Sequence, residues 1–184
     1  MTNEKTRDIV LIALFAAIMA VLGVFPPITL PLVGVPITAQ SLGVMLAGGI
    51  LGARRGALAM VLFLVLVAAG LPLLSGGRGG FAVFLGPSGG FLVGWIVAAF
   101  VVGLMVERFW PRLGHVNAFA ACVFGGIVVL YAIGIPWIAF AAEISIAQAF
   151  VGSMPFVPGD VIKAVIAATV IVTVARSYPV IVSR

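Results

Sequence analysis

The sequence has almost no cysteine or histidine, and it is poor in charge of either sign. Cys122 and His115 are the only residues of their kinds, so no disulfide can form within the chain and a metal site of histidine and cysteine is not expected. Charged residues make up 8% of the 184 residues, whereas ordinary soluble domains contain about 25%. A soluble protein could not cover its apolar surface with so few charges. These shortages argue against a soluble domain and against a metalloprotein.

Motifs of common catalytic sites are also missing. There is no G-x-x-x-x-G-K-[ST] sequence, so the chain is not expected to bind ATP through a P-loop, and there is no H-E-x-x-H sequence. The segment "GPSGG" around Ser88 resembles G-x-S-x-G, but that motif needs a preceding strand and a triad, and Lys163 is the only candidate base. We therefore expect neither an enzyme nor a resident cofactor.

Apolar residues are abundant, at 64% of the chain. This composition predicts an integral membrane protein with one helical domain over residues 1–184. The N-terminal "MTNEKTRDIVLIALFAAIMAVLG" starts like a signal peptide, but its apolar run is long and no A-x-A cleavage pattern precedes a soluble domain, so we interpret it as a retained first helix. The net charge is +5, yet the basic residues lie between apolar segments, so nucleic acid is not an expected partner.

The apolar segments predict six spanning helices. They run from about Asp8 to Phe25, Thr38 to Leu51, Gly56 to Ala69, Ser88 to Arg108, Val116 to Ile133 and Asp160 to Arg176. A further segment, Ile135 to Phe150, is interrupted by Pro136, Glu143 and Gln148. Because a carboxylate in the middle of a membrane is energetically costly, this segment is predicted to be a short re-entrant or interfacial helix.

Lysine and arginine predict the orientation, because cytoplasmic loops carry an excess of both. With six spans, eight of the ten basic residues fall on the cytoplasmic side: Lys5, Arg7, Arg54, Arg55, Arg108, Arg112, Arg176 and Arg184. Arg78 lies in an outer loop, and Lys163 lies near the outer end of the last helix. A seventh span would place Arg176 and Arg184 outside. The prediction is therefore an all-α bundle of six spans with both termini cytoplasmic.

The polar residues of this bundle gather at its outer end, and they are Gln40, Arg78, Ser88, Asp160 and Lys163. Two structural alternatives stand beside a binding role. Asp160 follows Pro-Gly and could cap a helix, and Lys163 could extend to the membrane surface. A lysine near the positive end of a helix dipole is a poor choice for stability, which favours a functional role for Lys163.

A small-molecule site is the functional interpretation of this cluster. Lys163 and Arg78 can hold an anion, and backbone N–H groups of Ser88, Gly89 and Gly90 at a helix start can add to it. Glycines there would let a ligand approach the backbone closely. Aromatic residues that could wall the pocket, or could equally serve as packing or interface residues, are Phe81, Phe84, Tyr131 and Trp137.

Small residues on the first helix form a second feature. Ala13 and Ala17, and likewise Ala16 and Ala20, are spaced four apart, which makes a smooth stripe for close helix packing. The stripe predicts either a docking face for a partner protein or packing within the same bundle.

Three segments carry a resemblance to a known family. The sequences "VPITAQSLGVMLAGGILGARRG", "GLPLLSGGRGGFAVFLGPSGGFLVG" and "MPFVPGDVIKA" resemble BioY, the family of biotin-binding S-components of energy-coupling factor transporters. The resemblance covers nearly the whole chain, and Ser88 stands where the family usually has threonine. It implies six spans, biotin capture from outside a prokaryotic cytoplasmic membrane, and partnership with a transmembrane coupling protein and ABC-type ATPases that bind the ATP.

The resemblance also implies roles for individual residues. Asp160 and Lys163 lie in the matching motif and are expected to contact biotin. Further expected contacts are Gln40, Arg78, Ser88, Gly89, Gly90 and Tyr131. Ala13 and Ala17, and also Ala16 and Ala20, are expected to meet the coupling protein. The alternatives left open are an S-component for another vitamin and a self-sufficient carrier or channel.

Overall fold

The computed structural model describes residues 2–29 and 34–181. In these ranges the chain forms mainly helices: α1 Thr2–Gly23, α2 Gln40–Leu51, α3 Ala53–Ala68, α4 Gly89–Phe109, α5 His115–Val123, α6 Leu130–Ala141, α7 Ile146–Ser153 and α8 Val157–Ser177. Short 3-10 turns lie at Phe81–Phe84, Trp110–Arg112 and Met154–Phe156. Two strands of two residues, β1 Ile28–Thr29 and β2 Pro36–Ile37, pair antiparallel between α1 and α2. The all-α prediction is confirmed.

The helix that begins at His115 is longer than predicted. A π-helical segment, Phe124–Val129, joins α5 to α6, and the continuous helix ends at Ala141. The prediction of one short helix over Ile135 to Phe150 was wrong, because Pro136 lies inside α6 instead of ending it. Proline is tolerated in such helices where neighbouring groups satisfy the freed backbone.

The other half of that segment begins the last helical run. Glu143 lies exposed in the turn after α6, with a positive φ of 55°, so its carboxylate is not inside a helix. α7 starts at a capping box, in which the Ser145 side chain accepts from the backbone N–H of Gln148 and the Gln148 side chain accepts from the N–H of Ser145. A 3-10 turn then leads directly into α8.

α8 starts earlier than its charged residues suggested. Its first residue is Val157, and Pro158 occupies the first turn, where a missing N–H costs nothing. Asp160 is therefore the fourth residue of the helix, and the structure assigns the cap position to Phe156 without a side-chain bond. The interpretation of Asp160 as an N-cap was wrong.

α2 lies at the centre of the bundle and packs against α1, α3, α4 and α8. Two glycines, Gly48 of α2 and Gly103 of α4, let α4 lie close to α2 and to the first residue of α3. A Cβ at Gly48 would collide with the carbonyl of Ala99, and a Cβ at Gly103 would collide with the backbone of Ala53. This backbone-to-backbone packing is typical of helices inside membranes.

Four helical runs within the described residues are long and apolar enough to cross a membrane: Glu4–Gly23, Gly89–Arg112, His115–Ala141 and Ile146–Ser177. α2 and α3, with 12 and 16 residues, are shorter than the roughly 20 residues of a full span. The chain is therefore a multi-pass helical membrane protein, in which most residues of α2 are buried, whereas α3 exposes large apolar side chains such as Leu58 and Val65.

One end of the bundle collects most of the basic residues. Arg55 pairs with Asp8 at 2.9 Å and also donates to the carbonyl of Val180 at 3.3 Å. Glu107 at the end of α4 accepts from the N–H of Ala53 at 2.8 Å. We call this region the basic end (residues 4–8, 52–55, 107–112 and 176–181). Arg184, which was counted with it, lies outside the described residues.

Candidate functional site

The acid and the base of α8 lie on one face, at the end of the bundle opposite the basic end. Asp160 and Lys163 are three residues apart, and their charged groups pair at 2.9 Å. Their side chains are only 8% and 15% exposed. A buried ion pair is stable only when its remaining hydrogen-bonding groups are also satisfied. The surroundings of this pair meet that condition.

Asp160 accepts three hydrogen bonds through its two carboxylate oxygens. Oδ1 accepts from Lys163 Nζ at 2.9 Å and from Ser41 Oγ at 3.0 Å. Oδ2 accepts from the hydroxyl of Tyr131 at 2.6 Å. The carboxylate thus joins α8 to α2 and α6. The network holds it in one orientation without using every lone pair, since a carboxylate has about four acceptor positions.

Lys163 is fully engaged by the protein. Its ammonium donates to the carbonyl of Thr38 at 2.7 Å, to Ser41 Oγ at 2.9 Å and to Asp160. These three bonds use the three N–H groups of an ammonium. Lys163 therefore turns inward, and the alternative in which it extends to the membrane surface was wrong.

A hollow lies beside this ion pair. It has an empty volume of about 580 Å³, which includes the open space at its mouth. Its wall is mostly apolar or aromatic, and its polar groups come from five different parts of the chain. The lining residues are Val35, Pro36, Ile37, Thr38, Gln40, Ser41, Leu74, Arg78, Ser88, Phe91, Leu92, Trp95, Leu130, Tyr131, Phe156, Asp160 and Lys163.

Arg78 and Ser88 are further lining residues with hydrogen-bonding capacity to spare. Arg78 Nε donates to the carbonyl of Ser75 at 3.2 Å, and within the described residues the rest of its guanidinium has no partner. Partial burial lowers the pKa of the Arg78 guanidinium, which shows that this cation is partly stripped of water. The hydroxyl of Ser88 is also unpartnered within the described ranges, although Ser88 is buried at the start of α4.

Gln40 lines the hollow but is committed elsewhere. Its Nε2 donates to the carbonyls of Met19 and Leu73, both at 3.1 Å. Its Oε1 accepts from the N–H of Ser75 at 3.1 Å and, at 3.4 Å, from the Ser75 hydroxyl. These contacts occupy both donors and both lone pairs of the amide. Ligand contact by Gln40 stays a prediction, and the geometry gives the residue a structural task.

The predicted glycines and three of the four predicted aromatics do not line the hollow. The Trp137 side chain packs where a Cβ on Gly90 would lie, and a Cβ on Gly89 would collide with the Phe84 carbonyl. The Nε1 of Trp137 and the N–H of Gly89 both donate to the carbonyl of Gly86. The glycines therefore make room for Trp137 and Phe84, and a ligand is not needed to explain them. Phe81 and Phe84 pack on each other at 6.0 Å between ring centroids.

Sequence reasoning missed several lining residues, of which Ser41 has the most contacts. It bridges Asp160 and Lys163, although 119 positions separate it from Asp160. Its signal was its position directly after Gln40 in the segment "TAQS". Phe91 and Trp95 were also missed. Phe91 meets Tyr131 edge-to-face at 5.9 Å, which holds the ring whose hydroxyl reaches Asp160.

The alanine stripe of α1 is divided between two faces. Ala13 and Ala17 are exposed, whereas Ala16 is 4% exposed and Ala20 packs against the core. Ala16 and Ala20 are therefore explained by packing within the bundle. Ala13 and Ala17 belong to an apolar outer face that also includes Ile9, Val10 and Leu14.

These features define a class of protein. A helical membrane bundle with a mostly apolar hollow, whose wall includes a hydrogen-bonded ion pair and an arginine with unused N–H donors, is typical of a membrane-embedded binding protein for a small molecule with polar and apolar parts. The BioY family model matches residues 1–180, and the chain belongs to the BioY family.

Named relatives resemble the chain over nearly their whole length. The "Biotin transporter BioY" of Rhizobium etli is 56% identical, over 98% of this chain and 99% of the relative. The protein with the same description from Rhodobacter capsulatus is 48% identical, over 94% and 95% of the two chains. These relatives are described as transporters, which agrees with the expectation that the chain is not an enzyme.

A solved structure is similar to the whole fold. It is described as the S-component for biotin from an ECF-type ABC transporter, where ECF stands for energy-coupling factor. The two structures superpose with a TM-score of 0.92 and 30% sequence identity, over 97% of this chain and 96% of the other. The resemblance inferred from the three sequence segments is thereby confirmed.

Proposed function

We propose that this chain captures biotin and serves in its uptake as the membrane-embedded substrate-binding subunit of an ECF transporter. The observation that carries the proposal is the ion pair of Asp160 and Lys163 on the wall of the hollow, braced by Ser41 and Tyr131. Biotin is the ligand named for the relatives and for the similar structure.

Biotin matches the distribution of polar groups in the hollow. Its ureido ring carries two N–H donors and a carbonyl, its bicycle and chain are apolar, and its chain ends in a carboxylate. Asp160 is buried and keeps about one acceptor position, on Oδ2, for a ureido N–H group. Lys163 has no N–H to spare, whereas Arg78 has free donors for an anion. In our proposal the ureido ring lies against Asp160 and the carboxylate meets Arg78.

The same proposal includes the arrangement in the membrane. The chain forms one domain, residues 1–184, with six spans and both termini in the cytoplasm of a prokaryote. The site then faces outward and the basic end faces the cytoplasm, as the lysine and arginine distribution favours. α2 and α3 complete the six spans. α2 is the shorter of the two, and a short helix that is largely enclosed by protein needs no full contact with lipid.

The partners proposed are a transmembrane coupling protein and ABC-type ATPases, which bind the ATP that this chain is not expected to bind. The exposed face of α1 with Ala13 and Ala17 is proposed to dock on the coupling protein, because small residues allow two helices to approach closely. The chain itself is proposed to need no cofactor.

Binding of labelled biotin to the purified protein tests the site. We expect Asp160→Asn and Lys163→Ala to lose binding while the thermal unfolding temperature shows that both variants are folded. A panel of other vitamins tests selectivity, since a site built to bond a ureido group rejects molecules without one. Affinity near that of the wild type in both variants, or tighter binding of another vitamin, would contradict the proposal.

Uptake of biotin tests the partnership. Cells that express the chain together with a coupling module are compared with cells that express the chain alone. We expect uptake at low external biotin to require the module. Equal uptake in both strains would show a self-sufficient carrier and would leave the binding site unaffected.

A further inference from the structure

Gln40 lies where three parts of the chain meet, and it is almost inaccessible, with 1% of its surface exposed. Its two side-chain N–H groups donate to the carbonyl of Met19, near the end of α1, and to the carbonyl of Leu73, in the loop after α3. Through its oxygen it holds Ser75 in the same loop. We call residues 71–80 the Arg78 loop. An amide is the neutral side chain that can supply two donors and two lone pairs in one plane.

The Arg78 loop depends on this junction for its position. It closes on itself through mutual backbone bonds between Leu74 and Arg78, at 3.0 and 3.2 Å, and Gly76 and Gly77 turn it with positive φ values. The carbonyl of Ser75 accepts a hydrogen bond from Arg78 Nε, and the N–H of Ser75 donates to Gln40 Oε1. The described contacts thus form a continuous path from α2 through Ser75 to the guanidinium.

The last residue of α1, Gly23, packs closely against Leu73 and Gln40. A Cβ on Gly23 would collide with the carbonyl of Leu73 and would lie 3.0 Å from Gln40 Nε2. The Arg78 loop therefore rests directly on the last residue of α1, and only glycine fits there without displacement.

We propose that Gln40 is a positioning residue, which fixes the Arg78 loop against α1 and α2 and so places the Arg78 guanidinium at the hollow. It acts through Ser75 and Arg78, and its own side chain does not bind the ligand. The effect on ligand affinity rests on the proposed function, whereas the effect on the loop does not. The two parts can therefore be measured separately.

Hydrogen exchange of the purified full chain tests the loop without any ligand. Gln40→Met keeps the volume and removes the four bonds. We expect amide exchange in residues 71–80 to accelerate about tenfold or more, because the N–H of Ser75 loses its acceptor, while exchange in α4 stays unchanged. Gln148→Met is the matched control, because Gln148 is exposed on α7 and has no bond to the Arg78 loop within the described residues. Exchange in residues 71–80 should not change in this variant. Unchanged exchange in the loop would overturn the proposal.

Gly23→Ala is the second variant, in case Gln40→Met does not fold. It displaces the Leu73 carbonyl and leaves the glutamine intact. The same acceleration in residues 71–80 is expected, and its absence in a folded Gly23→Ala protein would also overturn the proposal.

A double-mutant cycle on biotin affinity separates positioning from general damage. We expect Gln40→Met to weaken biotin binding about tenfold in the wild type, but less than about threefold in an Arg78→Gln background, since the group it places is then gone. A tenfold loss in both backgrounds would mean that Gln40 does not act through Arg78 and would overturn the inference. If the wild type binds no biotin, the proposed function fails, and the exchange experiment still decides the role of Gln40.

Discussion

The two ends of the bundle each contain an acid–base pair at the same distance, in very different surroundings. Asp160 and Lys163 at the site end (residues 35–41, 74–78, 88 and 156–163) are separated by 2.9 Å, and so are Asp8 and Arg55 at the basic end. The side chains of the first pair are 8% and 15% exposed, and those of the second are 38% and 33% exposed. Distance alone therefore says little about what an ion pair contributes.

Burial decides the difference. An exposed pair is screened by water and typically contributes about 0–1 kcal/mol, whereas removing one member of a buried pair costs about 3–5 kcal/mol. The pair at the basic end ties chain segments together, since Arg55 also holds the backbone of Val180. The pair at the site end faces a hollow and keeps part of its acceptor capacity open. We infer that the pair of Asp8 and Arg55 is structural, and that the pair of Asp160 and Lys163 is kept for a ligand.

Removing the acid at each end should produce the largest contrast. Asp160→Asn leaves the Lys163 ammonium without its counter-charge and removes the acceptor proposed for the ureido N–H groups. We expect biotin affinity to fall by at least about 100-fold. Asp8→Asn should change affinity less than about threefold. Titration calorimetry on both purified variants measures the contrast, and equal losses would show that the two pairs do not differ in function.

Arginine substitutions sharpen the assignment of the ligand carboxylate. Arg78→Gln removes the cation with free donors, and we expect biotin to bind about 30-fold more weakly because a charge-assisted contact is lost. Biotin amide, which has no carboxylate, should bind both proteins with similar affinity. Arg54→Gln at the basic end is the matched control and should bind biotin normally. An equal loss for biotin and its amide would contradict the proposed orientation.

The chain has two tyrosines, one at each end, and they allow a milder test. Tyr131→Phe removes the hydroxyl that donates to Asp160 at 2.6 Å and leaves the ring in place. We expect about tenfold weaker biotin binding, because a hydrogen bond to a charged group is lost. Tyr178→Phe keeps the ring that Arg7 faces at 5.6 Å, and it should bind biotin like the wild type. Equal biotin affinities for the two variants would show that the Tyr131 hydroxyl does not contribute to binding.

Sequence alone could predict the helical class and the place of Asp160 and Lys163 at the start of the last helix, because both follow from local information. A long apolar run predicts a membrane helix, and a spacing of three places Asp160 and Lys163 on one helix face. The same information could not find Ser41, which reaches the pair only because α2 packs against α8. Contacts between residues distant in the chain depend on how helices pack, and periodicity does not specify that.

Glycine and proline show another limit of local sequence information. Pro136 was taken as a sign of interruption, but α6 continues through it. Ligand contact by Gly89 and Gly90 stays a prediction, although the Phe84 carbonyl and Trp137 already explain why both residues lack side chains. In the sequence, a glycine indicates that the backbone needs room and a proline that it lacks an N–H donor. Only the tertiary structure shows which group fills the room beside the glycine and whether the helix continues through the proline.

The outer face of α1 connects the two ends and gives the prediction with the smallest effect on binding. Ala17→Leu enlarges an exposed residue of the proposed docking face, so we expect unchanged affinity for biotin but clearly reduced uptake in cells that contain the coupling module. Ala120→Leu on the exposed side of α5 is the matched control and should alter neither. Parallel measurements of binding and uptake are needed, because binding depends on the hollow alone, whereas uptake also depends on the surface that meets the partner. Normal uptake by Ala17→Leu would place the docking surface elsewhere on the bundle, and weakened binding would show that α1 shapes the hollow itself.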